Sequence, residues 1–484
     1  MKYIALTGAT GLLGSYLLKD LLRKDIPVLA LIRSSRRESM QQRVEGILRR
    51  FEKQLGRSLP RPVVMEADLH KPELGLSKTQ IHWISEHVET MLHNAASLSF
   101  IKEENGEPYA SNVRGMQHVL QLCQSANIRK FHHVSTCYVC GLRDGLVLES
   151  ELDEGQEFGN DYEKSKMEAE KMVRGCRHID SLTVFRPAII VGDRHNGYTP
   201  TFHGFYAPLK ILLPFADPEA TQLDDFVNFT NMLGMNSEDR KNFVPVDWIS
   251  QLMTHVISRT ELHGKTYHLS AGNRVKIQEM GEVIAEGIIK YLKRPEGQSA
   301  LSAGDVDQLL STFVSQMGVY KSYWRNDPEF DMTNTLQAAP HLPPPIMTRE
   351  ILMTLVRYAI LSNCGWPLPK PTVLENDVES VFAASKNIVY GGILSAAEYS
   401  NAALRFGLRV SGKGGGDWTI IENDEKYVVF QGLPSRTDPI LIINSHTFNK
   451  LNACSDEDLF WNTSWENAPV AEKKLALDVL RKII

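Results

Sequence analysis

A doubly wound parallel α/β sheet, with a small lobe, a helical region and a C-terminal α+β domain after it, is the fold class this sequence predicts. Three observations predict it. The chain opens on Lys2-Tyr3-Ile4-Ala5-Leu6-Thr7 and the glycine turn Gly8-Ala9-Thr10-Gly11-Leu12-Leu13-Gly14, a buried strand running into a helix start. Short apolar runs then alternate with helical stretches as far as Pro187, the pattern of repeated βα units with a ligand at the carboxyl edge of the sheet. Beyond residue 380 the pattern changes to short strands joined by turns.

The first turn has a physical role for each glycine. Gly8 permits the sharp exit from the strand, Gly11 lets backbone approach a pyrophosphate, and Gly14 lets the helix pack closely on the sheet. The helix N-terminus offers free N–H groups and a partial positive charge to phosphates. Such a turn, placed after a strand and before a helix, points to a Rossmann-type dinucleotide site.

Composition sets outer bounds. The 484 residues suffice for two or three domains, and 43% hydrophobic with 23% charged content is ordinary for a globular protein. A net charge of −5 gives no general reason to bind nucleic acid. No apolar run approaches the ~18 residues of a membrane span, and the chain enters a core strand at once, so neither a span nor a signal peptide is expected. Six scattered cysteines include the pair Cys137 and Cys140, with no second pair to complete a zinc site. Reduced thiols, no metal and a cytoplasmic setting are the expectation.

Pro27 to Ile32 reads as the second strand, ending at Arg33 with Arg36, Arg37 and Arg43 beyond. NAD sites commonly carry an acid here for the ribose 2′-hydroxyl, and none stands at this strand end. Arg33 and Arg43 would instead clamp a 2′-phosphate, which predicts NADPH. Val63 to Leu69 is the third strand, with Asp68 able to receive the adenine amino group and Leu69 beside it. Val88 to His93 is the fourth, and Asn94, Ala95 and Ala96 after it are small enough to pass close to ribose and pyrophosphate. Asn112 is expected to open a helix through Val119, Leu120 and Cys123. Phe131 to Thr136 is the fifth strand, ending in two hydroxyls, and Leu182 to Pro187 the sixth, where Pro187 stops the pairing.

Tyr162 and Lys166 are the decisive pair. With Asp161 as the cap, their i, i+4 spacing puts both on one helix face. An adjacent lysine cation is expected to lower the phenol pKa from about 10, making it an efficient proton donor near neutral pH.

TGATGLLG, HNAA, the VSTCYVCG run from Val134 to Gly141, YEKSK and FRPAIIVGD (Phe185 to Asp193) together resemble an extended short-chain dehydrogenase/reductase. Leu31-Ile32-Arg33 with Arg43, the Val134-Ser135-Thr136 start and Asn242-Phe243-Val244-Pro245-Val246-Asp247-Trp248 narrow the resemblance to thioester reductase domains and fatty acyl-CoA reductases. It covers roughly residues 1 to 275. It implies a triad of Thr136, Tyr162 and Lys166, with Thr136 preferred over Ser135 because it stands five residues before Gly141. The candidate cofactor contacts are Gly8, Thr10, Gly11, Leu12, Leu13, Gly14, Arg33, Arg43, Asp68, Leu69, Asn94, Ala95, Ala96, Tyr162, Lys166 and Pro187. The CYVC segment and the acidic Leu148 to Asp161 approach depart from the family pattern.

Residues 197 to 242 form the expected substrate lobe, where Phe202, His203, Phe205, Tyr206, Phe215, Phe226 and Phe229 crowd among Pro200, Pro208, Pro214 and Pro218. An apolar, aromatic-lined cleft would suit an acyl chain, and a plain lobe core is the competing reading. His203 is read as structural. The expected domains are 1–275 for the dinucleotide fold with its lobe, 276–375 mainly helical, and 376–484 a C-terminal α+β domain. That last domain loosely resembles a sterol-carrier fold, with a plain interaction domain as the alternative and a role in holding an acyl chain or a carrier protein. Gly412 to Gly416 reads as a hairpin connection.

Three functions compete. One is an NADPH-dependent reductase of an acyl thioester carried on coenzyme A or an acyl or peptidyl carrier protein, giving aldehyde or alcohol. A sugar-nucleotide epimerase or dehydratase would use the same triad, and a non-catalytic dinucleotide sensor the same fold.

Overall fold

The computed structural model describes residues 2–35, 37–213, 216, 236–293, 325–367, 378–385, 388–392, 404–423, 426–433, 438–449, 451, 463–466 and 470–483. Arg36, Pro214, Phe215, Pro218, Phe226 and Phe229 lie outside them. Seven strands make the first sheet: β1 (Tyr3–Thr7), β2 (Val28–Ile32), β3 (Val63–Glu66), β4 (Val88–His93), β5 (Lys130–Val134), β6 (Ser181–Pro187) and β7 (Thr266–Leu269). Their order is β7-β6-β5-β4-β1-β2-β3, and every adjacent pair is parallel. The order reverses between β1 and β4, the switch point where such sheets open a crevice. Strands in the middle are buried on both faces, which is why they read as unbroken apolar runs.

Helices α1 (Leu12–Arg23), α2 (Met40–Leu55) and α6 (Val246–Ile257) cover one face, with Leu17, Phe51, Trp248 and Leu252 in a common core. Helices α3 (Lys78–His87), α4 (Gly115–Ser125) and α5 (Asp161–Arg174) cover the other through Trp83, Met116, Val119 and Val173. A third core joins Phe202, Phe205 and Tyr206 of the lobe to α7 (Ile277–Tyr291) and α8 (Arg349–Leu361). Residues 325–361 thus pack back onto the first sheet, and Phe330 and Ala339 enter its core.

Two local expectations need correction. Asn160, not Asp161, caps α5, its side chain accepting from the Glu163 N–H at 3.0 Å. Asp161 is the first helical residue, and its carboxylate accepts from Tyr109 Oη (2.9 Å) and the Lys102 N–H (3.0 Å). Asn112 does not open a helix either. It sits inside a π-helical turn, Ala110–Arg114, that leads into α4.

The C-terminal sheet has six strands: β8 (Ile388–Gly392), β9 (Leu404–Ser411), β10 (Gly416–Asn423), β11 (Lys426–Gln431), β12 (Ile440–Asn444) and β13 (Thr463–Glu466), in the mixed order β8-β11-β10-β9-β12-β13. Gly412 to Gly415 is the β9–β10 hairpin turn, as its composition predicts. This sheet meets the first one at the amino end of β1. Tyr3 Oη accepts from the Leu433 N–H at 2.8 Å, and Trp83 Nε1 donates to the Gln431 carbonyl at 3.2 Å. Gly432 lies so close to the Trp83 ring that a Cβ there would stand 2.5 Å from it.

Trp83 is almost fully buried, stacks on His87 at 4.3 Å and packs against Tyr3 at 5.4 Å. Trp83→Ala should therefore cost about 3–5 kcal/mol of stability, as large-to-small core changes do. Denaturant unfolding of the full chain measures this; a loss below ~1 kcal/mol would mean the two sheets are not coupled through this ring.

Candidate functional site

All the candidate residues but one converge. The glycine turn, Arg33 and Arg43 beyond β2, Asp68 and Leu69 beyond β3, Asn94 to Ala96 beyond β4, Thr136, Tyr162, Lys166 and Pro187 line a single cleft of about 610 Å³ at the carboxyl edge of the sheet. Gly14 is the exception. It does not line the cleft, because a Cβ there would stand 2.0 Å from the Gly8 carbonyl oxygen; its work is helix packing, not ligand contact.

The turn is built as a cradle. Gly8 has φ +69°, and a Cβ would lie 2.8 Å from the Ala95 backbone, so both conformation and space demand glycine. Gly11 is different: a Cβ there would meet only the Gly8 oxygen, at 3.5 Å. The chain's own packing does not require glycine at 11, and the space it leaves opens on the cleft. Gly11 is also the N-cap of α1, with no side-chain cap and no acid in the first turn. That leaves amide donors for an anion, and the residues present fit a dinucleotide pyrophosphate.

Thr7 ties the turn to β4. Its hydroxyl accepts from the Asn94 and Ala95 N–H groups (both 3.1 Å), so its own proton goes to His93 Nδ1 at 2.8 Å. At the other end, Arg43 donates to the Arg33 carbonyl (2.7 Å) and to Thr10 Oγ1 (2.6 Å). The Ser39–Gln42 capping box fixes the start of α2, which carries Arg43. Arg33 itself is exposed at the rim.

On the same cleft α5 places Tyr162 and Lys166, and Glu170 follows at the next i+4 position of the helix. Lys166 is buried and donates to the Val134 carbonyl at 2.7 Å. Burial pushes its ammonium down to about 8, against the opposing pull of Glu170. Tyr162 packs edge-on against Phe100 at 5.9 Å. Burial raises its phenol above the ordinary value, with a hydrogen bond to Thr136 acting in the lowering direction and Glu163 in the raising one. This corrects the expectation that Lys166 would lower it: desolvation outweighs any neighbouring charge here. Thr136 accepts from the Tyr138 N–H at 3.2 Å and lies 3.3 Å from the Pro187 carbonyl.

In the lobe, three of the aromatics follow the plain-core reading. Phe202, Phe205 and Tyr206 are buried in the core against α7 and α8 and do not line the cleft. Rings of that size gain more between two helices than at a wall. The substrate end is lined instead by Ile189, Ala207, Pro208, Phe243, Ile277 and Met280, with His203 among them.

Several contributors have no obvious sequence signal. Asn112 bonds both backbone groups of Ser97 (2.8 and 3.1 Å) and Ser165 Oγ (2.9 Å), joining the loop after β4 to α5. Thr7 and His93 act through neighbours, and Lys241 reaches the cleft from a distant two-residue strand.

With this geometry in place, comparison with known proteins is informative. A nicotinamide-dinucleotide-binding family described as male sterility protein matches residues 6–253. The chain belongs to this family. Its resemblance to extended short-chain dehydrogenase/reductases of the thioester reductase kind also extends to structure. The crystal structure of the terminal R domain from the myxalamid PKS-NRPS biosynthetic pathway is 26% identical, with a TM-score of 0.58 over 77% of this chain and 92% of that one. Among curated proteins, the L-2-aminoadipate reductase large subunit of Penicillium chrysogenum is 30% identical over 223 residues, 41% of this chain and 15% of that protein. The nonribosomal peptide synthetase asaC of Aspergillus flavus is 26% identical over 287 residues, 55% of this chain and 26% of that protein. The chain thus corresponds to a part of these longer relatives. Among the described residues, no helix is long and apolar enough to cross a membrane.

The buried ammonium generates a prediction. The folded pKa of Lys166 lies below that of an unfolded lysine, so between about pH 8 and 10.5 the unfolded chain binds the extra proton. The cost of burying the charge is present in full below pH 8 and fades as pH rises to 10.5. Lys166→Met should therefore stabilise the ligand-free protein at pH 7, by roughly 3 kcal/mol less about 1 kcal/mol for the lost hydrogen bond. Denaturant midpoints at pH 7 and pH 10 test this; a gain that does not shrink with pH contradicts it.

Proposed function

We propose that the chain is an NADPH-dependent reductase of acyl thioesters, with Thr136, Tyr162 and Lys166 as its reacting set. The observation that carries the reading is the single cleft in which the glycine turn, the Arg33–Arg43 rim and those three side chains lie together. The likeness to a terminal R domain over 92% of that domain supports the same chemistry here. The substrate class is a thioester on coenzyme A or on an acyl or peptidyl carrier protein, and the first product is an aldehyde.

A dinucleotide held along Gly8 to Leu13 supplies the hydride. Everything else is done by the chain. The substrate carbonyl lies against Thr136 and Tyr162, whose hydroxyls face the oxygen as negative charge grows on it. The raised pKa of Tyr162 makes it a weaker acid but leaves its proton present at ordinary pH, and the negative charge growing on the substrate oxygen supplies the base that takes it. Tyr162 gives that proton to the carbonyl oxygen to form a hemithioacetal; its C–S bond then breaks as the hydroxyl proton passes to sulfur, and aldehyde and free thiol leave. Lys166, charged below about pH 8, has N–H donors left over from Val134 to hold the cofactor ribose. On this reading residues 1–275 carry the chemistry, 276–375 complete their core, and 376–484 form a separate C-terminal domain behind them.

Tyr162→Phe should lower turnover at least ~100-fold, while NADPH still binds. Stopped-flow loss of NADPH absorbance with an acyl-CoA panel measures the first, and fluorescence titration the second. Near-normal turnover of the variant, or no oxidation of NADPH by any thioester, overturns the reading.

Cofactor choice rests on Arg43, held by Thr10 and the Arg33 carbonyl, and on Arg33 at the rim. The double variant Arg33→Ala/Arg43→Ala should weaken NADPH binding at least tenfold, given about 1.5–3 kcal/mol per charge-assisted contact, and hardly change that of NADH. Equal weakening of both cofactors counts against the assignment.

A further inference from the structure

Beside the cleft lies a charged pair that the reaction does not use, and its lysine is one of the lining residues. Lys241, only 4% exposed, donates from Nζ to Asp327 Oδ1 at 2.8 Å and to the Arg325 carbonyl at 2.7 Å. The other oxygen of Asp327 accepts from Tyr138 Oη at 2.7 Å and from the Asn242 N–H at 2.8 Å. Lys241 and Tyr138 both line the cleft, on the side of Thr136, in a wall otherwise made by groups such as Phe243, Ile277 and Met280.

A lysine ammonium has three N–H donors, and among the described residues two of those of Lys241 are taken. The carboxylate beside it has both oxygens engaged. The pair therefore offers one donor and no net charge to an apolar cavity. A second carboxylate entering there would leave an uncompensated negative charge in a low-dielectric wall, at a cost well above the gain from one hydrogen bond. A neutral acceptor meets the donor without that penalty.

We infer that Lys241, held and neutralised by Asp327, is a specificity-determining residue that reads a neutral hydrogen-bond acceptor on the substrate: a ketone, amide or hydroxyl oxygen. The inference rests on the thioester reading above. That oxygen comes either from the acyl chain or from an amide of the pantetheine arm, and the bond formed is the same in both cases. The competing view, that the pair only staples residues 325–328 to the edge of the fold, predicts no dependence on what the substrate carries.

The test uses the full chain with NADPH, four thioesters for the main comparison and a fifth whose acyl chain ends in a carboxylate. Two acyl groups of equal length, one saturated and one with a mid-chain ketone, are each presented on pantetheine and on a plain alkanethiol. The wild-type chain should favour the acceptor-bearing member of one comparison by roughly tenfold or more in kcat/KM, expressed mainly in KM. The ketone contrast identifies the acyl chain as the source, and the pantetheine contrast the arm. Lys241→Met should abolish that preference, bringing the acceptor-bearing and acceptor-free members to equal kcat/KM whatever the overall rate. Asp327→Asn keeps the shape and leaves the ammonium uncompensated, so it should gain activity on an acyl chain that ends in a carboxylate, relative to wild type. That gain decides the matter if Lys241→Met does not fold. Equal losses on all four thioesters, or no gain from Asp327→Asn, overturn the inference while thioester reduction stands. Absence of any NADPH oxidation by the wild-type chain would instead remove the functional reading itself.

Discussion

The site depends on one buried ion pair beneath it. Arg186, in β6 and fully buried, donates to both carboxylate oxygens of Glu170, at 2.7 and 3.1 Å. Glu170 is itself fully buried on α5, one turn beyond Lys166 and two beyond Tyr162. Burial pushes its carboxyl up, but Arg186 and then Arg174 outweigh that and hold it below the usual range. Arg186 also donates to the Glu151 carbonyl at 2.7 Å and approaches His268 Nε2 at 3.3 Å, so it ties α5 to β7 and to the acidic loop before the helix. A buried pair of this kind contributes little net stability, since desolvation consumes most of the attraction. Its value is positional: a slip of α5 along the sheet would strand two charges, so the helix has one register, and with it Tyr162 and Lys166 have one position.

The same register governs the electrostatics. His93 and His133 stack at 6.0 Å under the strand ends, and burial first and Lys166 second hold both rings neutral, His93 down at about 3. With Nδ1 of His93 accepting from Thr7, the neutral ring carries its proton on Nε2. Two neutral imidazoles and one distant carboxylate leave Lys166 as the cation at the base of the cleft among the described residues. Its charge is therefore not competed away by neighbours. The acidic loop supports the arrangement from outside: Glu149 accepts from the His268 N–H and the Asn334 N–H, which joins the 325–361 return to β7.

How much of this was legible follows from how local each signal is. The glycine turn, the strand runs and the Tyr162–Lys166 spacing report on neighbours within a few residues; they anticipate the sheet, and the site residues they single out, Gly14 excepted, line the cleft. Asp161 was misread as the cap because either of two adjacent residues can accept from the N3 amide; the backbone at Asn160, extended at φ −162° and ψ 169°, decides between them. The tyrosine pKa was misread because proximity of a lysine is visible in spacing and depth of burial is not. Phe202, Phe205 and Tyr206 could be read as cleft wall or as lobe core, because the partners that decide it, α7 and α8, begin more than 70 residues later. Lys241 carried no signal at all, since its meaning depends on Asp327, 86 residues away.

The placement of the C-terminal sheet follows from the same geometry. A doubly wound sheet spends its carboxyl edge on loops that must stay open to ligand, so a further domain that attaches permanently is best accommodated at the amino edge. The contacts have that character. Tyr3 begins β1, and its hydroxyl is held by the Leu433 amide in full burial, near the buried ion pair that Arg409 Nε makes with Asp417 Oδ1 at 3.0 Å. Burial first and Asp417 second raise the Tyr3 phenol, so it stays neutral and its oxygen accepts from the Leu433 N–H without bringing a further charge into the contact. Trp83 supplies the apolar part of the contact, capped by a glycine that lets the chain pass over its ring. A contact that combines a buried hydroxyl, a buried ion pair and an indole packs as core does, and it ties the C-terminal sheet to the amino end of β1 while the carboxyl edge is left to the cleft.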